Sequence, residues 1–332
     1  MGGLVLTAPR SLVLPWTNVY GLARTLVALG TAGTLAFSSA QTLFRPVYTM
    51  GDYPLCKRFT AGSAFCLAPD SYPGLTWIKW GCVVVLLVTA SGWRPRWTGL
   101  PHAYVNYSVY TGIAIGDGGD QIALILSVLF ALVTLGDARR WHWQTVADGA
   151  GTTPPGRVLA LVGTSALVVA RLQMSFVYFQ ASVAKLPHAE WADGTAMWYW
   201  GQNPAFGAPS WLRPLVHAVV SAPWGVALMT WLPLVIEISL AAALLLPRRA
   251  RRAAMAAGLF FHLCIALVMG LWSFALAMAG GIVVLCLPLG SALHRRRASS
   301  GDEPAPQQVD DLGVGEPALP RQGDKAAAGL HQ

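Results

Sequence analysis

Lys185 is the residue whose position most invites chemistry. It ends a long apolar run, and a turn carrying His188, Glu190, Trp191, Asp193 and Gly194 follows at once. The run is long enough to cross a bilayer, so the amine sits where a helix leaves the membrane. An ionisable group there is costly and is a functional candidate by default. A lysine acts as a general base only in its neutral form. Burial in an apolar pocket or beside another cation favours that form, whereas Glu190 or Asp193 nearby would hold the charge. The competing structural reading is a lysine that snorkels, with its stem on apolar surface and its head in water.

Further polar residues lie inside apolar runs. Arg171, Gln173 and Gln180 share the run that ends in Lys185, Glu237 lies inside a later run, and His262 inside the next. Groups at such depth face the bundle interior and find partners. Depth alone pairs Arg171 with Glu237, either as a structural ion pair or as a proton relay or ligand-facing group. His262 reads as a satisfied core histidine or as a third catalytic group beside Lys185 and Glu237. The turn Asp117-Gly118-Gly119-Asp120-Gln121 allows a tight reversal. Its carboxylates either cap the following helix or, with Gln121, orient a substrate. Gln180, Glu190, Trp191 and Asp193 complete the candidate substrate-binding set. Zinc needs three or four ligands at recognisable spacing; His102, His188, His217 and His262 show none, so no metal is expected. Cys56 and Cys66 can close a small ring in an oxidising compartment. A structural disulfide is the expectation and a redox-active pair the alternative; there is no Cys-x-x-Cys. Cys82, Cys264 and Cys286 read as packing residues.

These groups need elements to hold them, and composition says which kind. The chain has 332 residues, 55% hydrophobic and 11% charged, with a mean hydropathy of +0.50. A soluble domain carries about 25% charged residues, so the deficit points to an all-α polytopic membrane protein whose first partner is the lipid bilayer. Fourteen Trp and nine Tyr suit interfacial anchors. The net charge of +8 reads as loop charge that sets orientation, not as a nucleic-acid surface. The N-terminus lacks a clear cleavage site and reads as retained.

Apolar runs at 19–37, 75–90, 121–135, 158–185, 226–246, 253–269 and 272–287 predict seven spans. Seven would split the strong basic clusters between two sides. The weaker run 100–115, with His102, Tyr104, Asn106, Tyr107 and Tyr110, supplies an eighth. Eight spans put Arg10, Arg94, Arg96, Arg139, Arg140, Arg157, the four arginines of 248–252 and Arg295–Arg297 on the cytoplasmic side with both termini. The Asp117 turn and the Lys185 loop then share the outer face. The segment 198–223, interrupted by Pro204, Pro209, Pro214 and Pro223, reads as interfacial or re-entrant. The expected organisation is a cytoplasmic segment 1–16, a transmembrane domain 17–290 and a disordered cytoplasmic tail 291–332.

With those residues in hand, the chain resembles the SdpB-like branch of the HTTM superfamily, which also contains the vitamin K-dependent gamma-carboxylases. The matching stretches are Asn18-Val19-Tyr20-Gly21-Leu22-Ala23-Arg24-Thr25-Leu26, the Asp117 turn, Asp137-Ala138-Arg139-Arg140-Trp141-His142-Trp143, the Tyr178-to-Ala196 motif around Lys185, and Phe261-His262. The resemblance implies a multi-pass protein of the cell membrane that acts with an SdpA-like subunit on a secreted peptide precursor, in maturing or exporting a peptide toxin. The likeness to the carboxylases implies a reduced quinone as cofactor and Lys185 as the base that deprotonates it. Propeptide-directed glutamate carboxylation is not expected. The third function class, a small transporter or scaffold, would need a polar path built from Arg171, Glu237 and His262.

Overall fold

The computed structural model describes residues 13–291, except 49–50, 52, 68–70, 115, 148 and 204–206. The proposed tail beyond residue 291 and most of the N-terminal segment lie outside the described residues. The described residues fall within one compact unit.

Among the described residues, eight helices have fifteen residues or more. They are α1 (Asn18–Phe37), α2 (Tyr72–Ser91), α3 (Pro95–Gly112), α4 (Gly118–Thr134), α5 (Pro154–Lys185), α6 (Pro223–Ala241), α7 (Arg248–Met269) and α8 (Trp272–Cys286). Each covers one of the apolar runs, the weak 100–115 run included. The polar α3 starts at Pro95, where a missing N–H costs nothing. Thr17, Ser71 and Thr153 cap α1, α2 and α5 by accepting backbone N–H bonds. Left-handed Gly92 and Gly270 end α2 and α7.

Five helices (α1, α2, α5, α6 and α7) are long and apolar enough to cross a membrane; α4 and α8 are shorter apolar helices. Their outward surfaces remain hydrophobic. Leu172, Phe176 and Phe179 on α5 and Leu228, Val235 and Ile238 on α6 are exposed. A helix apolar on all sides fits lipid outside and protein inside.

Two cores order the bundle. One gathers Tyr20, Ala23, Phe130, Ala170, Met174, Tyr178, Leu240 and Ile282; the other lies between α1, α2 and α3 around Leu35, Phe44, Phe65 and Leu86. Helix α1 packs chiefly on α8 and α2, α3 on α4, and α5 between α4 and α6. The expected disulfide is present: Cys56 and Cys66 are bonded, Cα to Cα 5.7 Å. The segment expected to be interfacial or re-entrant contains two short helices, Ala196–Gly201 and Arg213–Val220. They pack on α6, around a small core of Ala208, Val216 and Val220.

Candidate functional site

Helix α5 carries Tyr178, Ser182 and Lys185 at spacings of four and three, which puts them on one face. That face meets α6 and α7. Lys185 Nζ donates to both carboxylate oxygens of Glu237, each at 2.6 Å. The Ser182 hydroxyl donates to the Tyr178 carbonyl at 2.9 Å and lies 3.5 Å from Glu237 Oε2. One turn deeper, the Tyr178 hydroxyl is 2.9 Å from His262 Nε2, while His262 Nδ1 is buried with no partner. The line Lys185, Glu237, Ser182, Tyr178, His262 thus steps from the helix end into the core.

The pair sits at a graded boundary. The Lys185 side chain is 23% exposed and that of Glu237 7%. Short charge-assisted bonds to two oxygens are among the stronger polar contacts a protein makes. Trp191 covers the amine, with Nζ 5.3 Å from the ring centroid, a cation–π distance. Trp191 is fixed in turn: its carbonyl accepts from Trp231 Nε1 at 3.0 Å. Gly194 lets the turn close. Its φ is +75°, and a Cβ there would stand 3.0 Å from Trp231 Cζ2, so glycine serves both backbone and packing.

Beside the pair is a chamber of about 450 Å³. Trp191, Met197 and Trp200 line it from the turn, Met229, Pro233 and Ile236 from α6, and Phe261, Cys264 and Val268 from α7. Lys185 and Glu237 are the charged residues on its wall. Its size falls within the roughly 300–1,000 Å³ of small-molecule sites, and an apolar wall with few fixed polar groups is their usual chemistry.

Several expectations change. Glu237 pairs with Lys185, not with Arg171. Arg171 donates from Nε to the Val284 carbonyl at 3.0 Å and from Nη2 to that of Leu287 at 2.5 Å. It caps the C-terminal end of α8, where a cation is favoured. The carboxylate on Lys185 is therefore neither Glu190 nor Asp193. Asp193 is exposed, as are Gln180 and Gln121. The Glu190 carbonyl accepts from Thr195 N and shapes the turn.

The Asp117 turn is a cap. Asp117 Oδ1 accepts from Gly119 N and Asp120 N, and Asp120 Oδ2 accepts from Asp117 N, the reciprocal capping box. It lies near the site all the same. A Cβ on Gly119 would stand 2.6 Å from Phe274 Cα, and the Phe274 ring centroid is 5.4 Å from that of His262. Among the described residues no cluster of His, Cys, Asp and Glu could hold a metal ion. Tyr178 and Ser182 are site residues that sequence reasoning does not single out, although their helical spacing to Lys185 carries the signal; Trp231 gave no sequence signal.

Comparison with known proteins then gives the lineage. Residues 155–288, from α5 to the end of α8, match the HTTM domain. The uncharacterized protein YitO of Bacillus subtilis (strain 168) is 36% identical over 281 residues, 84% of this chain and 88% of that one. Sporulation-delaying protein SdpB of the same organism is 33% identical over 275 residues, 83% of each chain. No solved structure matches the chain significantly.

Proposed function

Because this chain belongs to the SdpB-like family of HTTM-domain proteins, we propose that it is a multi-pass protein of the cell membrane that matures or exports a secreted peptide toxin. Its partner in this reading is an SdpA-like subunit, and its substrate is the peptide precursor. The observation that carries the reading is similarity to SdpB along 83% of both chains. The eight-span arrangement, with both termini cytoplasmic, puts the Lys185 end of α5 on the outer face. There the chamber receives an apolar stretch of the precursor, and Trp191 and Trp200 flank it. Lys185 and Glu237 hold a polar backbone or side-chain group at the chamber wall, one as donor and the other as acceptor.

The test compares the secreted peptide from cells with and without this protein by mass spectrometry. A precursor that accumulates or changes mass in its absence supports the reading; identical peptide in both strains removes it. Cysteine-accessibility labelling checks the sidedness. Asp117→Cys and His188→Cys should react from outside, and labelling of either from the cytoplasm sinks the eight-span arrangement.

The chamber favours a second reading, a quinol-coupled enzyme. Its residues fit a reduced quinone: Trp191, Trp200 and Phe261 offer aromatic and apolar walls, Glu237 an acceptor and Lys185 a donor for ring hydroxyls. Bound there, the quinol would supply two reducing equivalents. The general base in this reading belongs to the Lys185–Glu237 pair as a unit, because an ammonium held by a carboxylate has no free lone pair. Extraction of the purified protein and chromatography for quinone decides it: stoichiometric quinone supports the reading, and none after purification in mild detergent refutes it.

A further inference from the structure

Two of the sequence motifs, 18–26 and 137–143, play no part in the Lys185 site, and the structure brings them together elsewhere. Tyr20 and Arg24 lie one turn apart on α1, and Asp137, Arg139 and His142 lie in the loop after α4. Helix α3 adds Thr98 and His102, again one turn apart. The two centres belong to opposite ends of α5: this loop leads into its first residue, and Lys185 is its last.

Arg24 is 0% exposed. Its one hydrogen bond runs from Nη2 to Thr98 Oγ1 at 2.6 Å, and its Nε and Nη1 have no partner. Near it, the Tyr20 hydroxyl, both ring nitrogens of His102 and His142 Nδ1 are also buried and unpaired. The Arg24–Thr98 bond sets the Thr98–His102 face of α3 against the Tyr20–Arg24 face of α1, so these groups form one cluster. Thr25 and Gly21 seat the His142 ring beside it: Thr25 Oγ1 is 3.3 Å from His142 Nε2, and a Cβ on Gly21 would stand 2.9 Å from the ring.

The charges do not balance. Asp137 is the cluster's one carboxylate, and both its oxygens are taken by Arg139, Oδ1 by Nε at 2.8 Å and Oδ2 by Nη2 at 2.7 Å. Arg24 is left as a buried cation with two open nitrogens. A buried cation is stable only with a partner, and the open groups around this one are rich in donors. A guanidinium prefers planar oxygen anions.

We propose that Arg24, Tyr20 and His102 form a second binding site, distinct from the Lys185 chamber, for a small planar monovalent oxyanion: a carboxylate or bicarbonate. The anion neutralises Arg24 and accepts from its Nε and Nη1, from the Tyr20 hydroxyl and from a His102 ring N–H. It ties α1 to α3 and the 135–153 loop.

The test is a thermal-melting titration of the full chain in detergent. Sodium formate and sodium bicarbonate are each titrated against the bulky sulfonate isethionate at constant ionic strength. Formate reports a carboxylate and bicarbonate an inorganic carbonate, and a rise with either supports the site. At an anion concentration about ten times the dissociation constant the expected rise is roughly 2–3 °C. Arg24→Gln should abolish it. Tyr20→Phe, which removes no bond made within the protein, should weaken it several-fold and keeps the test valid if Arg24→Gln fails to fold. Indifference of the wild type to both anions assigns the donors to buried water and overturns the proposal. A Tyr20→Phe variant that responds like wild type overturns it as well.

Discussion

The Lys185–Glu237 pair predicts an asymmetric double-mutant cycle. Lys185→Met strands a carboxylate whose side chain is 7% exposed, and removing one partner of a buried pair costs about 3–5 kcal/mol. Glu237→Gln strands an amine that is 23% exposed and sits at a helix end. That amine can turn its head to water along its four-carbon stem, so the expected cost is only about 1 kcal/mol, the size of one net hydrogen bond. Taking about 3 kcal/mol for Lys185→Met, additivity would give about 4 kcal/mol for the double variant. The double variant leaves no charge stranded, and its expected cost is about 2 kcal/mol. The coupling of about 2 kcal/mol is roughly thirtyfold in the unfolding constant. Reversible unfolding in mixed micelles at pH 7 measures all four corners of the cycle. Additivity within about 0.5 kcal/mol, or a larger loss from Glu237→Gln than from Lys185→Met, refutes the geometry.

Other perturbations probe the elements around the site. Gly119→Ala places a methyl 2.6 Å from Phe274 Cα; a melting curve should show about 1–3 kcal/mol of destabilisation from the forced shift of α4 against α8. His142, outside the spans, has its ring pushed down to about 3, by burial first and then by Arg24 and Arg139. Below its ordinary value of 6.5 the unfolded chain takes up a proton that the folded chain refuses. Stability should therefore fall between pH 6.5 and pH 3, by up to about 1.4 kcal/mol per pH unit. His142→Asn should flatten that slope, and an unchanged slope removes His142 as its source. Cys56→Ser should cost about 2–3 kcal/mol and abolish any mobility difference between reduced and unreduced gels; a difference that persists means the disulfide lies elsewhere.

The helices were legible because each buries or exposes apolar surface over fifteen residues or more, and hydropathy reads that directly. Even α3, too polar for a hydropathy window, followed from charge placement on the loops around it. Hydropathy does not report rotation about a helix axis. Depth paired Glu237 with Arg171, but the facing of α5 gives Glu237 to Lys185 and turns Arg171 toward the last carbonyls of α8. The spacing of Tyr178, Ser182 and Lys185 carried that information. Trp231 was illegible for another reason: its bond to the Trp191 carbonyl joins residues forty apart, and no local pattern encodes such a contact. The Arg24 cluster joins α1, α3 and the 135–153 loop and was hidden in the same way, although two of its stretches stood out as motifs.

The working centre proposed for this protein is the Lys185–Glu237 pair at the wall of the apolar chamber. Its most direct test is quantitative mass spectrometry of the secreted peptide from cells carrying Lys185→Ala, with the variant present in membranes at wild-type level. The expected result is mature peptide reduced roughly ten- to hundredfold, the loss of a hydrogen bond from a charged group worth about 1.5–3 kcal/mol, with precursor retained. Mature peptide of unchanged mass and amount would contradict it.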